Sequence, residues 1–304
     1  MNFAPRVTIG VILVMCSLRC GDNIESPGSG GTFGPPQNVK AASINSSTIR
    51  LDWSPATASS DSTFRGYIVQ WGSRADTVPK ISFSMTIDSL GQGQTLFSLY
   101  SLRTTGQLSD PALIRWAPAA RFDSAIVVFE NNTATSTREE GVNVGTRTTN
   151  PSAMVIEPAD PAVVQRMDLY FYGGRGQIRD SLAMWSASLF LGAFNQTRFS
   201  TVMHAATSLD FAIGSFPDPG TFTKDSIAVV DNTIYYARAI GDPQEVNYCR
   251  IHLHVRPMSI FPNRIIEVRI SLQRVPGLLF AGPIDRPRRL RNLASLFAIG
   301  NTYH

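Results

Sequence analysis

Residues 38–55, "NVKAASINSSTIRLDWSP", carry the reading that decides the fold. Ile49, Leu51 and Trp53 fall at alternate positions, with Thr48, Arg50 and Asp52 between them. A period of two places one set of side chains on a buried face and the other towards water, which is a strand. Residues 64–72, "FRGYIVQWG", repeat the signal with Tyr67, Val69 and Trp71. Residues 120–132, "ARFDSAIVVFENN", add Ala125, Val127 and Phe129, and "GVNVGTRT" (141–148) ends the region. Turn residues separate these runs and no amphipathic helix interrupts them, so an all-β antiparallel sandwich is expected.

Working towards the N-terminus, residues 21–36, "GDNIESPGSGGTFGPP", are rich in Gly, Pro and Ser without an apolar period. They read as a flexible tether. Before them, Arg6 and the apolar run Val7 to Met15 have the charge and length of a signal segment. About 20 apolar residues are needed to span a bilayer, and this run is far shorter. Cys16 and Cys20 stand where the run ends, whereas Cys249 lies far inside the chain. That is no disulfide framework. Residues 1–20 resemble the signal and lipobox of bacterial lipoproteins. The resemblance implies acylation of one cysteine, Cys16 or Cys20, and a lipid anchor at the cell envelope, on the periplasmic or exposed side. Ordinary secretion is the alternative.

Residues 36–55, then "GYIVQWG" (66–72) and "ENNTATSTREEGVNVGTRT" (130–148), resemble strands A–B, C and F–G of a fibronectin type III domain. The resemblance implies a domain over residues 37–149 in which Trp53 packs against Tyr67. It also implies extra chain around "RTTGQLSDPALIRWAPA" (103–119), with Phe122 standing in for the usual corner tyrosine.

Residues 148–162, "TTNPSAMVIEPADPA", carry three prolines and read as an interdomain connection. A second antiparallel β-rich domain is expected over 150–281. Its strand candidates are "MDLYFYGG", "AMWSASLFLGAF", "TSLDFAIGSF", "DSIAVVDNTIYYARAI", "NYCRIHLHV" and "RIIEVRISLQRV". Phe190 and Leu191 fit a short buried helix equally well. Residues 209–216, 232–255 and 264–278 resemble the core of HmuY-like lipoproteins, which implies haem as a ligand. The tail, 282–304, holds Arg286, Arg288, Arg289 and Arg291 and spaces Leu290, Leu293, Leu296 and Phe297 as a short helix.

Chemistry is sparse in the motifs. His252 and His254 share one strand face, and His204 is a further candidate ligand from another strand. Arg250 and Arg256 lie on the same face and oppose a cation there; ordinary strand histidines are the simpler reading. Cys249 points to the opposite face by parity and reads as a small buried hydrophobe. No G-x-S-x-G elbow, EF-hand loop or CxxC spacing occurs. Asp160, Asp218, Asp231 and Asp242 fall in turn-like stretches, and "YGGRGQIRD" (172–180) reads as a glycine turn. The net charge of +4 equals the four tail arginines, which gives no case for nucleic acid. A non-enzymatic binding module without a catalytic site or resident cofactor is expected. Its expected contacts are a membrane, through the lipid, and a protein or polysaccharide. The alternatives implied by the resemblances are a haem-type ligand-binding lipoprotein acting through the second domain and an accessory module of a secreted carbohydrate-active system. Trp116 and Trp185 are candidate aromatic platforms for a polysaccharide.

Overall fold

In the computed structural model the described residues are 33–130, 138–155, 166–173, 182–191, 195–241, 245–257 and 264–282. Cys16, Cys20, the stretch expected as a tether up to residue 32 and the segment expected as a tail helix lie outside them.

The first sandwich is built from seven strands. Strands β1 (Gln37–Asn45), β2 (Thr48–Ser54) and β5 (Ser84–Ile87) form a three-stranded sheet. Strands β3 (Phe64–Trp71), β4 (Arg74–Pro79), β6 (Thr95–Arg103) and β7 (Ala112–Trp116) form the facing four-stranded sheet, in the order β4-β3-β6-β7. Every pairing is antiparallel. The β3–β4 hairpin turns on Gly72, whose φ of 55° suits glycine in a two-residue loop. Gly106, at φ 87°, sits in a turn within the longer connection from β6 to β7, its amide donating to the Arg103 carbonyl at 3.0 Å. Ile49, Leu51 and Trp53 from β2 meet Tyr67 and Val69 from β3 in the core. The Trp53 and Tyr67 rings lie 5.5 Å apart at 69°, an edge-to-face contact.

Strands F and G are therefore β6 and β7, not the later stretch expected to supply them. "RTTGQLSDPALIRW" is the closing hairpin of the sandwich rather than an insertion. The two strands assigned to it, β8 (Ala120–Phe129) and β9 (Glu139–Asn143), join the sheets of the second half. Phe122 is consequently no corner residue. It pairs with Ile270, and the Arg274 guanidinium sits 5.5 Å from its ring centre.

The second half is also a double sheet. One sheet has five strands, β10 (Ser152–Val155), β9, β11 (Leu169–Gly173), β12 (Leu182–Ser186) and β15 (Ser226–Ala228), in that order. The other has six, in the order β14 (Phe222–Lys224), β13 (Gln196–Ala205), β16 (Thr233–Ile240), β17 (Val246–Val255), β18 (Ile265–Leu272) and β8. The expected connection at 148–162 thus contains a paired strand, β10. Residues 207–216, expected as a strand, form a loop that makes a single bridge to β1. The ten-residue strand before that loop, β13, was not among the candidates. A short helix, α1 (Ala187–Leu191), follows β12.

The six-stranded sheet is buried on both faces. Tyr235, Ala237, Cys249, Ile251, Leu253 and Val268 face the five-stranded sheet in one core. The opposite face gives Ile234, Tyr236 and Tyr248 to the core of the first sandwich. Phe216 and Phe280 complete that junction. Their rings stack 5.0 Å apart, and Phe280 meets Trp116 at 6.0 Å. The main chain joins the halves as well: Ala41 and Ile213 exchange hydrogen bonds of 2.9 and 3.0 Å, and the Ala117 amide donates to the Phe280 carbonyl at 2.7 Å.

At the end of β8, Glu130 is fully buried and receives Arg264 as a two-point ion pair, Nε to Oε2 and Nη2 to Oε1, each 2.7 Å. Gly173 leaves room for this carboxylate. A Cβ there would stand 1.5 Å from Glu130 Oε1.

Candidate functional site

The polar groups concentrate on the sandwich-facing side of the six-stranded sheet. Register fixes who stands beside whom. His204 of β13 lies opposite Ile234 of β16, which lies opposite His252 of β17, which lies opposite Arg269 of β18. Tyr236 and Arg250, a directly opposed pair, occupy the next position on the same face. His204 and His252 are therefore on one face as parity requires. Ile234 stands between them, two strand spacings or about 10 Å across.

Each histidine has its own partner. His252 is buried, and its Nε2 lies 3.0 Å from the Ala206 carbonyl oxygen. His254 Nδ1 lies 2.9 Å from Asp231 Oδ1, at the sheet end. His204 Nδ1 lies 2.9 Å from the Tyr236 hydroxyl, and its ring leans on Phe211 at 5.3 Å. The structure thus does not bring the three proposed ligands to one point. Among the described residues no group of three His, Cys, Asp or Glu side chains is placed to hold a metal ion.

Arg250 is the residue that sequence reasoning noticed only as an opposing charge. It is completely buried. Its Nη2 donates to the Phe211 carbonyl, while Nε and Nη1 have no acceptor among the described residues. Burial, first, and nearby Arg121 pull its pKa below the ordinary arginine value, and Tyr236 and Asp210 act the other way. The other arginines here have carboxylates. Arg50 holds Asp52 at 3.0 Å, and Arg121 holds Asp123 at 2.6 Å and Asp210 at 2.7 Å. A buried charge without its counter-ion is uncommon and calls for a reason. The available signal in the sequence was its strand: "NYCRIHLHV" has apolar residues on one face and Tyr248, Arg250 and His252 on the other, with no acid among them.

The loop 206–217 crosses this face, pinned by Arg50 and Arg250. Arg50 Nη2 donates to the Asp210 carbonyl at 2.7 Å, and Arg250 holds the next carbonyl. Beside the loop lies a cavity of about 270 Å³ between Lys40 of β1, Val202 and His204 of β13, and Phe211 to Ser215 with Pro217 of the loop. A second, of about 380 Å³, lies over Ala206, Ser208 and Asp210. Burial, first, and the positive charges of Arg250 and Lys40 hold the His204 pKa below the usual histidine value, which favours the neutral ring.

The remaining candidates lie elsewhere. Trp116 is no exposed platform: it is fully buried, and its Nε1 donates to Ser43 Oγ at 3.1 Å. Trp185 is half-buried beside Tyr170 and Met167. Asp160 and Asp242 are outside the described residues, as is most of the 172–180 turn. Asp168 is fully buried and accepts the Val144 amide at 2.9 Å; burial pushes its pKa up to about 7. It lines neither cavity beside the loop.

Cys249 faces the core between the two sheets of the second half. Burial, and after it the Asp168 charge, push the thiol's pKa well up. In a chain whose Cys16 and Cys20 are replaced by Ser, Cys249 is expected to stay unmodified by a thiol reagent until denaturant unfolds the protein. Fast labelling of the native chain would contradict its placement.

Comparison with known proteins bears on the first sandwich. The family model of the fibronectin type III domain matches residues 34–112. This part of the chain is a fibronectin type III domain. Its seven strands in a three-plus-four arrangement span the matched residues and close at Trp116. Among solved structures, that of the fibronectin type III domain of the human collagen alpha-1(XX) chain is 18% identical, covering 31% of this chain and 93% of that one, with a TM-score of 0.26. The corresponding domain of human contactin 1 is 12% identical, covering 38% and 95%, with a TM-score of 0.25. No curated protein matches the chain. Fibronectin type III domains are generally non-catalytic interaction modules, which is the coarse function this domain indicates.

Proposed function

We propose that the protein is an exported, non-enzymatic interaction module, held at the cell envelope by a lipid on Cys16 or Cys20. The observation that carries the reading is the fibronectin type III domain at residues 34–112. Its place in the chain supports the anchor: an apolar run, two cysteines and a Gly/Pro/Ser stretch precede it in that order. Sandwich edges and loops present binding surface without acid–base chemistry. The partner in this reading is a protein or polysaccharide met outside the cytoplasm. Burial of Trp116 turns attention away from that side chain as a sugar platform.

Fatty-acid labelling of the intact chain and of its Cys16→Ala and Cys20→Ala variants tests the anchor. Label is expected in the intact chain and lost in one variant. Label in none of the three, or in both variants, would remove the single-site anchor. Turnover in a broad hydrolase screen, abolished by one point substitution, would overturn the non-enzymatic part.

A further inference from the structure

We propose that the cavity beside Lys40 and His204 binds a compact carboxylic acid, a carboxylate carried on a small apolar or aromatic body. This goes beyond the general binding role and stands on the site alone.

Charge comes first. Arg250 has no carboxylate of its own, and its neighbours' acids are taken by Arg50 and Arg121. Lys40 is exposed at the cavity's rim and has no ion-pair partner among the described residues. Lys40 lines the cavity; Arg250 does not, but from the low-dielectric interior its charge acts, together with that of Lys40, on His204 in the cavity wall.

Hydrogen-bond direction comes second. Arg250 stands directly opposite Tyr236 in the strand register, and its positive charge acts on the Tyr236 hydroxyl, favouring an orientation with the oxygen towards the cation and the hydrogen away from it. The Tyr236 O–H is thereby turned to His204 Nδ1, 2.9 Å away. That makes Nδ1 an acceptor and places the ring hydrogen on Nε2. Nε2 has no partner among the described residues, and the ring lines the cavity. The guanidinium thus polarises, through tyrosine, a neutral donor at the cavity wall.

Shape comes third. Val202, Phe211, Ala212, Ile213 and Pro217 make the remaining wall mostly apolar. The volume of about 270 Å³ lies just under the ~300–1,000 Å³ of drug-sized sites, so the ligand is small. Two donors, an ammonium and one N–H, match the two oxygens of a carboxylate. A phosphate dianion needs more donors and gains nothing from the apolar wall.

The test uses the full chain, isotope-labelled, with phenylacetate as the probe and resonances of His204 and Ala212 to Ser215 as the readout. Saturable shifts are expected. Phenylacetamide, which has the same body without the charge, is expected to bind at least about tenfold more weakly. Lys40→Ala is expected to weaken phenylacetate by a similar factor, Lys40→Arg much less, and His204→Phe, which keeps the ring but removes the N–H, by about fivefold or more. Lys40 is exposed, so its variants leave the fold intact. Two further probes separate the sources of the carboxylate: a short peptide ending in phenylalanine, with a free or an amidated terminus. Tighter binding of the free-terminus peptide than of phenylacetate identifies a partner's chain end; weaker binding identifies a free acid. The proposal is overturned if no saturable shift appears, if acid and amide bind alike, if Lys40→Ala changes nothing, or if inorganic phosphate alone occupies these residues.

Discussion

Phe216→Ala is expected to lower the stability of the whole folded chain by about 3–5 kcal/mol, the usual loss for an aromatic removed from a core. Phe216 is the hub of the junction. Besides its stack on Phe280 it meets Tyr236 at 5.3 Å, Phe222 at 5.9 Å and Tyr248 at 5.9 Å. The fibronectin type III domain contributes Trp116 to the same cluster, through Phe280. Few side chains there are free to collapse into the gap, because Tyr236 is held by His204 and Trp116 by Ser43. The loss should therefore sit near the upper end. It should also appear on both sides of the junction, since one core runs across it. Urea unfolding followed by tryptophan fluorescence and by far-ultraviolet circular dichroism checks this. Both probes should shift together, and Phe216→Leu should recover much of the loss. A shift under about 1 kcal/mol, or one seen by only one probe, would show that the two halves are energetically separate.

Glu130→Ala is expected to cost about 3–5 kcal/mol, for a different reason. The carboxylate has no solvent contact and the Arg264 side chain is only 13% exposed. Each was removed from water on the strength of the other. The main chain supports the pair: the Glu130 amide donates to the Arg264 carbonyl at 2.9 Å, and the Arg264 amide to Glu130 Oε2 at 3.3 Å. Truncating the acid takes from the largely buried Arg264 guanidinium the two-point ion pair with Glu130. Replacing both partners with methionine removes that charge as well, so the double variant should be more stable than Glu130→Ala alone. Urea midpoints of the three proteins decide it. Equal stability of Glu130→Ala and the parent would mean that the pair is solvated in solution.

What the sequence showed depended on whether a strand has one wet face. β2 does, and Ile49, Leu51 and Trp53 announced it. β6 does not: from Phe97 to Leu102 it is buried without interruption, because its outer face is covered by Leu108 and its neighbours. Period two is erased there, and the true strand F passed unnoticed. β8 had the period but joined the other half, because strand partnership is set by non-local register with β18, which no local pattern contains. β13 was hidden by its polar residues and by the irregularity between Phe199 and Met203. The candidate site was legible residue by residue. His204 and Arg250 could be read singly, Lys40 carried no signal of its own, and the meeting of Lys40 with His204 depends on a loop at 206–217 that resembles a strand and instead crosses the sheet.

The bridge between Ala41 and Ile213 has a mechanical consequence. β1 is the first strand among the described residues, so a pull applied on its N-terminal side reaches it first. A pull that peeled β1 from β2 alone would open one strand pair at a time. Here β1 is also tied on its other edge to the loop that Arg50 and Arg250 hold. Load entering at Gln37 therefore meets, at Ala41, both the β1–β2 ladder and the backbone of the 206–217 loop, so peeling β1 away requires both to give.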